Sequence, residues 1–282
     1  MERDIIAVYC LIDEYLKLSG VKDDVRAEIS NAEVLLIGYM AVSDFNGNYF
    51  KAHQYAKMMH LVKAIDYTRF LRRLAKINKV LSTLFVFLSS LFQRLNGTQI
   101  YSVDSFPVEL CQITRQSRVR LWSDPSLKGY NASKGRFFYG FKVHMLVTTD
   151  KEPVMVYISE GSQHDVTAGY HFMKYLPKKS IAIGDKGYVS SKLEAFLKRF
   201  DIVLSPIGRN NMKRENTEDY FTKRRIRKGV ETAFSMITAK FGKVIKATTI
   251  GGFLTKLKLF ITAYAINCFL KLADDKKALL FN

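Results

Sequence analysis

Ile100-Tyr101-Ser102-Val103-Asp104 reads as a strand that carries a carboxylate, and Ser180-Ile181-Ala182-Ile183-Gly184-Asp185 reads as a second strand that ends on one. A charge inside an apolar, alternating strand costs free energy unless it is paired or binds a metal. The carboxyl ends of strands in α/β sheets are where ligands and reactive groups collect. Asp185 also opens Asp-Lys-Gly, a common turn sequence, so a purely local role competes there. A third acid, Glu231, falls on a helix-like stretch from Arg224 to Phe241, beside an apolar stripe of Ile226, Val230, Ala233, Phe234, Ile237 and Phe241. Arg227 lies one turn before Glu231, and the bland reading of that pair is an i,i+4 surface contact worth a few tenths of a kcal/mol. The sharper reading joins the three acids. Two carboxylates on strands and one on a later helix can gather around paired divalent metals, which activate a nucleophilic oxygen and stabilise the leaving oxygen of a phosphodiester. Hard Mg²⁺ prefers such oxygen ligands.

Around these acids the texture is that of a mixed sheet. Asn96-Gly97 marks a turn before the first strand. A long basic segment follows it. Then Phe138 to Val147 reads as a strand, Thr149 to Pro153 as a turn, and Val154 to Ile158 as a returning strand. Asp165 to Leu176 reads as a helix with Asp165 as its N-cap, and Asp165 is also a candidate extra acid near the metals. The strand ending at Asp185, a helix over Ser190 to Phe200 and a strand over Ile202 to Leu204 complete a βββ-α-β-α-β-α order. That order suits a five-stranded mixed sheet with helices on its faces.

Residues 1–95 read as helical. Ser30-Asn31-Ala32-Glu33 matches a capping box ahead of Val34-Leu35-Leu36-Ile37, and Asp66 can cap a basic helix over Tyr67 to Val80 that holds Arg69, Arg72, Arg73 and Lys76. Two short helices before a basic one are compatible with a helix-turn-helix DNA reader, and equally with a plain helical domain bearing a solvated basic face.

The chain has 282 residues and a net charge of +18, from 44 Lys and Arg against 26 Asp and Glu. Charge of that size argues about partners rather than fold and favours nucleic acid, because the cations flank the acids: Arg115 to Arg120, Lys128 to Lys142, Arg209 to Arg214 and Lys223 to Lys228. Cys10, Cys111 and Cys268 read as buried, reduced thiols of a cytosolic protein. The mixed charge of Glu2-Arg3-Asp4 is unlike a signal peptide. Val80 to Phe92 is too short to span a membrane and Phe253 to Leu272 carries Lys256 and Lys258, so both read as core helices. Competing chemistries lack their residues: no Cys/His set has zinc spacing, no Walker loop or GxGxxG is present, and His144, His164 and His171 have no evident nucleophile beside them.

Five short motifs stand in order: Val103-Asp104-Ser105-Phe106-Pro107, Gly129 to Lys134, Phe138 to His144, Gly184 to Tyr188, and Arg227 to Ser235. With acids 81 and 46 residues apart, and with Ser30 to Glu33 and Arg69 to Leu74 near the start, the chain resembles bacterial insertion-sequence DDE transposases, most closely the insertion-sequence 982 family. The resemblance implies a helical DNA-binding region over 1–95 and a ribonuclease-H-like catalytic domain with a C-terminal helix over 96–282. It implies Asp104, Asp185 and Glu231 as catalytic ligands of two Mg²⁺ ions, with Mn²⁺ able to substitute. The activity implied is cleavage at the element ends and joining of the 3′-hydroxyl to target DNA. A nuclease without joining and a transposase-derived DNA-binding protein are the alternatives. Candidate DNA contacts are Arg69, Arg72, Arg73, Lys134, Lys142, Arg209, Arg227 and Lys228. Double-stranded DNA is the expected partner, bound by a homodimer in the bacterial cytoplasm without membrane contact. One departure is visible. Related transposases often place Tyr, Arg and Lys around the catalytic Glu; here Arg227 fits, Arg224 stands at the Tyr position and Thr238 at the Lys position, with Lys228 or Lys240 nearby.

Overall fold

A computed structural model describes residues 2–119, 123–132, 134–207, 217–241 and 244–281. The chain forms two compact units, one of Met1–Leu88 with Ile237–Asp274 and one of Ser89–Met236 with Asp275–Asn282.

The first unit is helical. It contains α1 (Glu2–Leu18), α2 (Asn31–Ser43), α3 (Tyr49–Met58), α4 (Tyr67–Lys76), most of α5 (Asn78–Leu95) and α9 (Ile250–Leu270). The capping box is present as expected: the Glu33 amide donates to Ser30 Oγ at 3.1 Å and the Ser30 amide to Glu33 Oε2 at 2.7 Å. Asp66 accepts from the amides of Thr68 and Arg69 and starts α4. Helix α2 is apolar on every side and is buried from Asn31 to Val42 except at Glu33, so it must be covered all round. Helices α1, α3, α4 and α9 do so. Gly38 lets α9 approach, since a β-carbon there would sit 3.2 Å from Leu259 Cδ2.

The units are cut at other places than the expected boundary near residue 95. Residues 237–274 fall in the first unit, where α9, itself apolar all round, packs on α2 and α1. A helix so long and apolar could cross a bilayer; 67% of its apolar window is buried here. Lys256 within it is held by the Lys246 carbonyl at 2.7 Å and the Tyr49 ring, and burial lowers its pKa to about 8. Cys10 is exposed and the other two cysteines are half-buried, contrary to the expectation of buried thiols.

The second unit holds the sheet. Its strands are β1 (Ile100–Cys111), β2 (Lys128–Asn131), β3 (Arg136–Thr148), β4 (Pro153–Glu160), β5 (Ser180–Ile183) and β6 (Ile202–Leu204). The order is β2-β3-β1-β5-β6, with β4 also paired to β3. β3 runs antiparallel to β1, β2 and β4, whereas β1, β5 and β6 are mutually parallel. Tyr139 pairs with both Cys111 and Lys128, and Phe141 with both Val108 and Glu160. β2 and β4 therefore share one edge of β3. Six strands form rather than the five expected, because β3 has 13 residues and β4 only 8, which leaves the start of β3 open to a further partner. β1 also runs past Asp104 to Cys111. Helices α6 (Asp165–Phe172) and α7 (Ser191–Lys198) pack on each other, with α6 against β4 and α7 against β6. Helix α8 (Thr217–Thr238) packs Phe234 on Phe106 of β1, ring centroids 4.5 Å apart.

Candidate active site

Parallel pairing of β1 with β5 sets the register Tyr101↔Ala182 and Ser102↔Ile183. Two residues further along the chain stand Asp104, still on β1, and Asp185, which lies two residues past the end of β5 rather than on the strand expected to end with it. The sheet therefore delivers the two acids side by side. Gly184 allows the close fit, since a β-carbon there would lie 3.1 Å from Val103 Cγ1. Both side chains are half-buried. Burial first, and then the neighbouring Asp185 charge, push the Asp104 carboxyl up to about 7. Burial likewise raises Asp185, against the pull of the Gly187 amide, which donates to its Oδ1 at 2.8 Å. The Asp-x-Gly turn is therefore formed at Asp185, beside Asp104.

The Phe106–Phe234 contact lays α8 over this end of β1. Arg227 bonds Glu231 one turn on, which is the i,i+4 pair read in the sequence. Burial opposes the charge on Arg227, but its bond to Glu231 and the fields of Asp104 and Asp185 raise its pKa. Arg227 is the group that links the third acid electrostatically to the first two. Glu231 itself stays half-exposed beside Arg227. Among the described residues no three of His, Cys, Asp or Glu are gathered closely enough to hold a metal. The expected three-ligand set is therefore not assembled around one point. The Asp104–Asp185 pair does suit a hard divalent cation: both donors are carboxylate oxygens, and their mutual repulsion is what such a cation relieves.

Asp165 is the acid whose role the sequence underrated. His164, not Asp165, occupies the N-cap of α6 and makes no side-chain cap bond. The Asp165 carboxylate is drawn instead to Ser105 Oγ at 3.0 Å and Lys142 Nζ at 3.5 Å. Its other oxygen lies near Asp185: a β-carbon on Gly187 would meet Asp165 Oδ2 at 2.7 Å and Asp185 Oδ1 at 2.9 Å. Lys142, an expected DNA contact, also donates to the Gln163 carbonyl and is only 15% exposed, so it is held here as a counter-charge to Asp165.

His144 completes this buried network. Ser159 Oγ donates to the Glu160 carbonyl and so accepts from His144 Nε2, 3.0 Å away; the Tyr188 hydroxyl then donates to Nδ1 at 3.2 Å. Burial lowers the His144 pKa to about 4. A group that stays neutral in the fold but protonates near 6.5 when unfolded makes stability rise with pH across that window. The His144 contribution to stability is therefore expected to be lost as pH falls from about 6.5 toward 4, against the opposite trend of Asp104, and His144→Gln should lose less stability than wild type over that window in thermal melts.

Beside Glu231, Lys186, Arg224, Arg227 and Lys228 line a cleft of about 260 Å³ with Tyr220. Of the other expected DNA contacts, Lys134 is exposed on the loop between β2 and β3, and Arg209 lies outside the described residues. On α4, Arg69 and Arg72 are exposed, with Arg69 paired to Glu28 at 3.2 Å. Arg73 is spent internally on the Ile29 carbonyl, Asn31 Oδ1 and Asp23.

One carboxylate on β1 and another just past the end of the parallel β5, beside a cationic cleft, mark an α/β domain suited to phosphodiester chemistry. The chain belongs to the transposase DDE domain family, whose model matches residues 94–243, just over half of its length. No curated protein matches the chain. Among solved structures, the cryo-EM structure of the piggyBac transposase synaptic complex with hairpin DNA aligns with 95% of this chain and 72% of that one, at 11% identity and a TM-score of 0.49. A likeness at that score carries no further weight.

Proposed function

We propose that this transposase cleaves DNA at the ends of an insertion sequence and joins the freed 3′-hydroxyl to target DNA. The observation that carries the reading is the register that sets Asp104 against Asp185 beside a cleft lined by four cations. A run of antiparallel strands, β1 to β4, followed by two strands parallel to β1 supports a ribonuclease-H-like fold. Asp104, Asp185 and Glu231 would hold Mg²⁺, or Mn²⁺ in its place; bound there, the ions would activate the attacking oxygen and stabilise the departing one. Arg227 pairs with Glu231 and offsets the charge of the aspartate pair. Lys186, Arg224 and Lys228 supply phosphate contacts that orient the reacting strand, with Arg224 filling the position where related enzymes place Tyr. The helices of the first unit, with Arg69 and Arg72 exposed on α4, recognise the element ends. Action as a homodimer on double-stranded DNA in the bacterial cytoplasm, and membership of the insertion-sequence 982 group, complete the reading.

A strand-transfer assay with labelled element ends and Mg²⁺ tests it. Joined products are expected; cleavage without joining would make the chain a nuclease, and neither would refute the enzyme reading. The cleft has its own test. Each phosphate contact releases counterions, so Arg224→Ala and Lys228→Ala should each reduce the slope of log affinity against log salt by about one unit. Unchanged slopes in both would place the DNA elsewhere.

A further inference from the structure

The Gly129-Tyr130-Asn131-Ala132-Ser133-Lys134 motif is not used by the site just described. Gly129, Tyr130 and Asn131 of it lie on β2, just ahead of β3. Tyr130 and Phe137 are cross-strand partners on one face of this hairpin, their rings 5.1 Å apart and edge-on. They are 53% and 54% exposed, high for two adjacent aromatic rings. Lys128, two residues before Tyr130 and so on the same face, places Nζ 5.1 Å from the Phe137 ring centre. Lys134 is exposed on the loop between the strands, and Arg115 and Arg118 are exposed on the turn after β1 that packs near β3. Arg136 points to the other face and pairs there with Glu109, which keeps that acid away from the rings.

The hairpin has a firm base. A β-carbon on Gly129 would fall 2.1 Å from the Gly161 carbonyl oxygen, so β2 is seated directly on the backbone at the end of β4. Its distance from the acids also matters. Met145 pairs with Asp104, and Phe137 lies eight residues earlier on β3, roughly 27 Å away at the rise of a strand. Roughly eight base pairs of duplex cover that length. The hairpin would therefore meet a different part of a bound DNA than the acids do.

We infer that the β2–β3 hairpin is a stacking platform for unpaired nucleobases, with Tyr130 and Phe137 taking the bases and Lys128 and Lys134 the adjoining phosphates. Half-exposed aromatic rings next to cations on a rigid support are what sequence-tolerant recognition of unpaired DNA requires. The inference rests on the reading of this chain as a DNA-acting enzyme.

The test uses the full chain and three labelled DNAs: a paired duplex, the same duplex with a short unpaired stretch, and that stretch made abasic. Stacking contributes roughly 5- to 150-fold per base. Wild type should bind the unpaired stretch about tenfold or more tightly than the duplex and lose that preference on the abasic DNA. Tyr130→Leu with Phe137→Leu keeps apolar strand residues but removes stacking, and should abolish the preference while duplex affinity stays within about twofold. Tyr130→Phe with Phe137→Tyr should retain it. Lys128→Ala should weaken all three DNAs alike. Equal wild-type binding to all three DNAs, or a preference that survives the double Leu change, overturns the inference. So does a double Leu variant that changes only self-association in light scattering, which would make the rings a protein contact. A chain that cleaves and joins ends but ignores unpaired bases loses this inference alone. A chain with no salt-dependent DNA binding loses the proposed function as well.

Discussion

Asp104→Asn is expected to lower DNA cleavage by roughly a thousandfold while leaving the protein at least as stable as before. A thousandfold corresponds to about 4 kcal/mol of transition-state stabilisation, in the range expected when a metal-holding carboxylate is removed. The stability half follows from the site itself. Asp104 is half-buried against Asp185, and burial together with that like charge pushes its carboxyl to about 7. Asn has nearly the same shape but no charge, so the repulsion disappears. Asp185→Asn should behave in the same way, since Asp185 is raised by burial and by neighbouring acids. Glu231→Gln should also abolish cleavage but should not stabilise, because Glu231 is half-exposed and already paired with Arg227. Single-turnover cleavage and thermal melting of the same preparations decide the matter. Near-wild-type cleavage by any one variant removes that residue from the chemistry. A marked loss of stability in Asp104→Asn would mean that the aspartate serves the fold rather than the reaction.

Gly140→Ala should damage the fold severely, costing about 3 kcal/mol or more. A β-carbon at Gly140 would meet the Val108 carbonyl oxygen at 2.1 Å, with Glu109 Cα and the Leu110 amide nitrogen each at 3.0 Å. All three atoms are backbone of the neighbouring strand, so no rotamer change can relieve the clash. The pairing of β1 with β3 is irregular between Glu109 and Cys111, directly opposite this glycine. Forcing the strands apart there would disturb β1 upstream, at Asp104. Cleavage should therefore fall together with the denaturation midpoint. Unchanged urea unfolding would show that the irregularity can widen without cost.

What the sequence determined by itself was set by short-range rules. The Ser30–Glu33 capping box, the Asp66 cap and the Arg227–Glu231 pair all span three or four residues, and a helix fixes such geometry whatever surrounds it. The two acid-bearing strands and the apolar stripe of α8 were legible because alternation and helical spacing report directly on which face is buried. Tertiary structure decided everything that depends on which distant segment comes alongside. β2 has four residues and lies in a basic run, so only the unpaired edge of β3 makes it a strand. The lysine at 142 looks like a surface cation until Asp165, 23 residues away, takes it inside. Asp165 turns from a helix cap into a neighbour of Asp185 for the same reason. Helix α9 joins α2, more than 200 residues earlier, because two helices apolar on every side can be covered only by other elements. The adjacency of Asp104 and Asp185 is the clearest case. Each acid is visible in its own strand, but only the parallel register of β1 with β5 sets them together and gives the pair its shared charge.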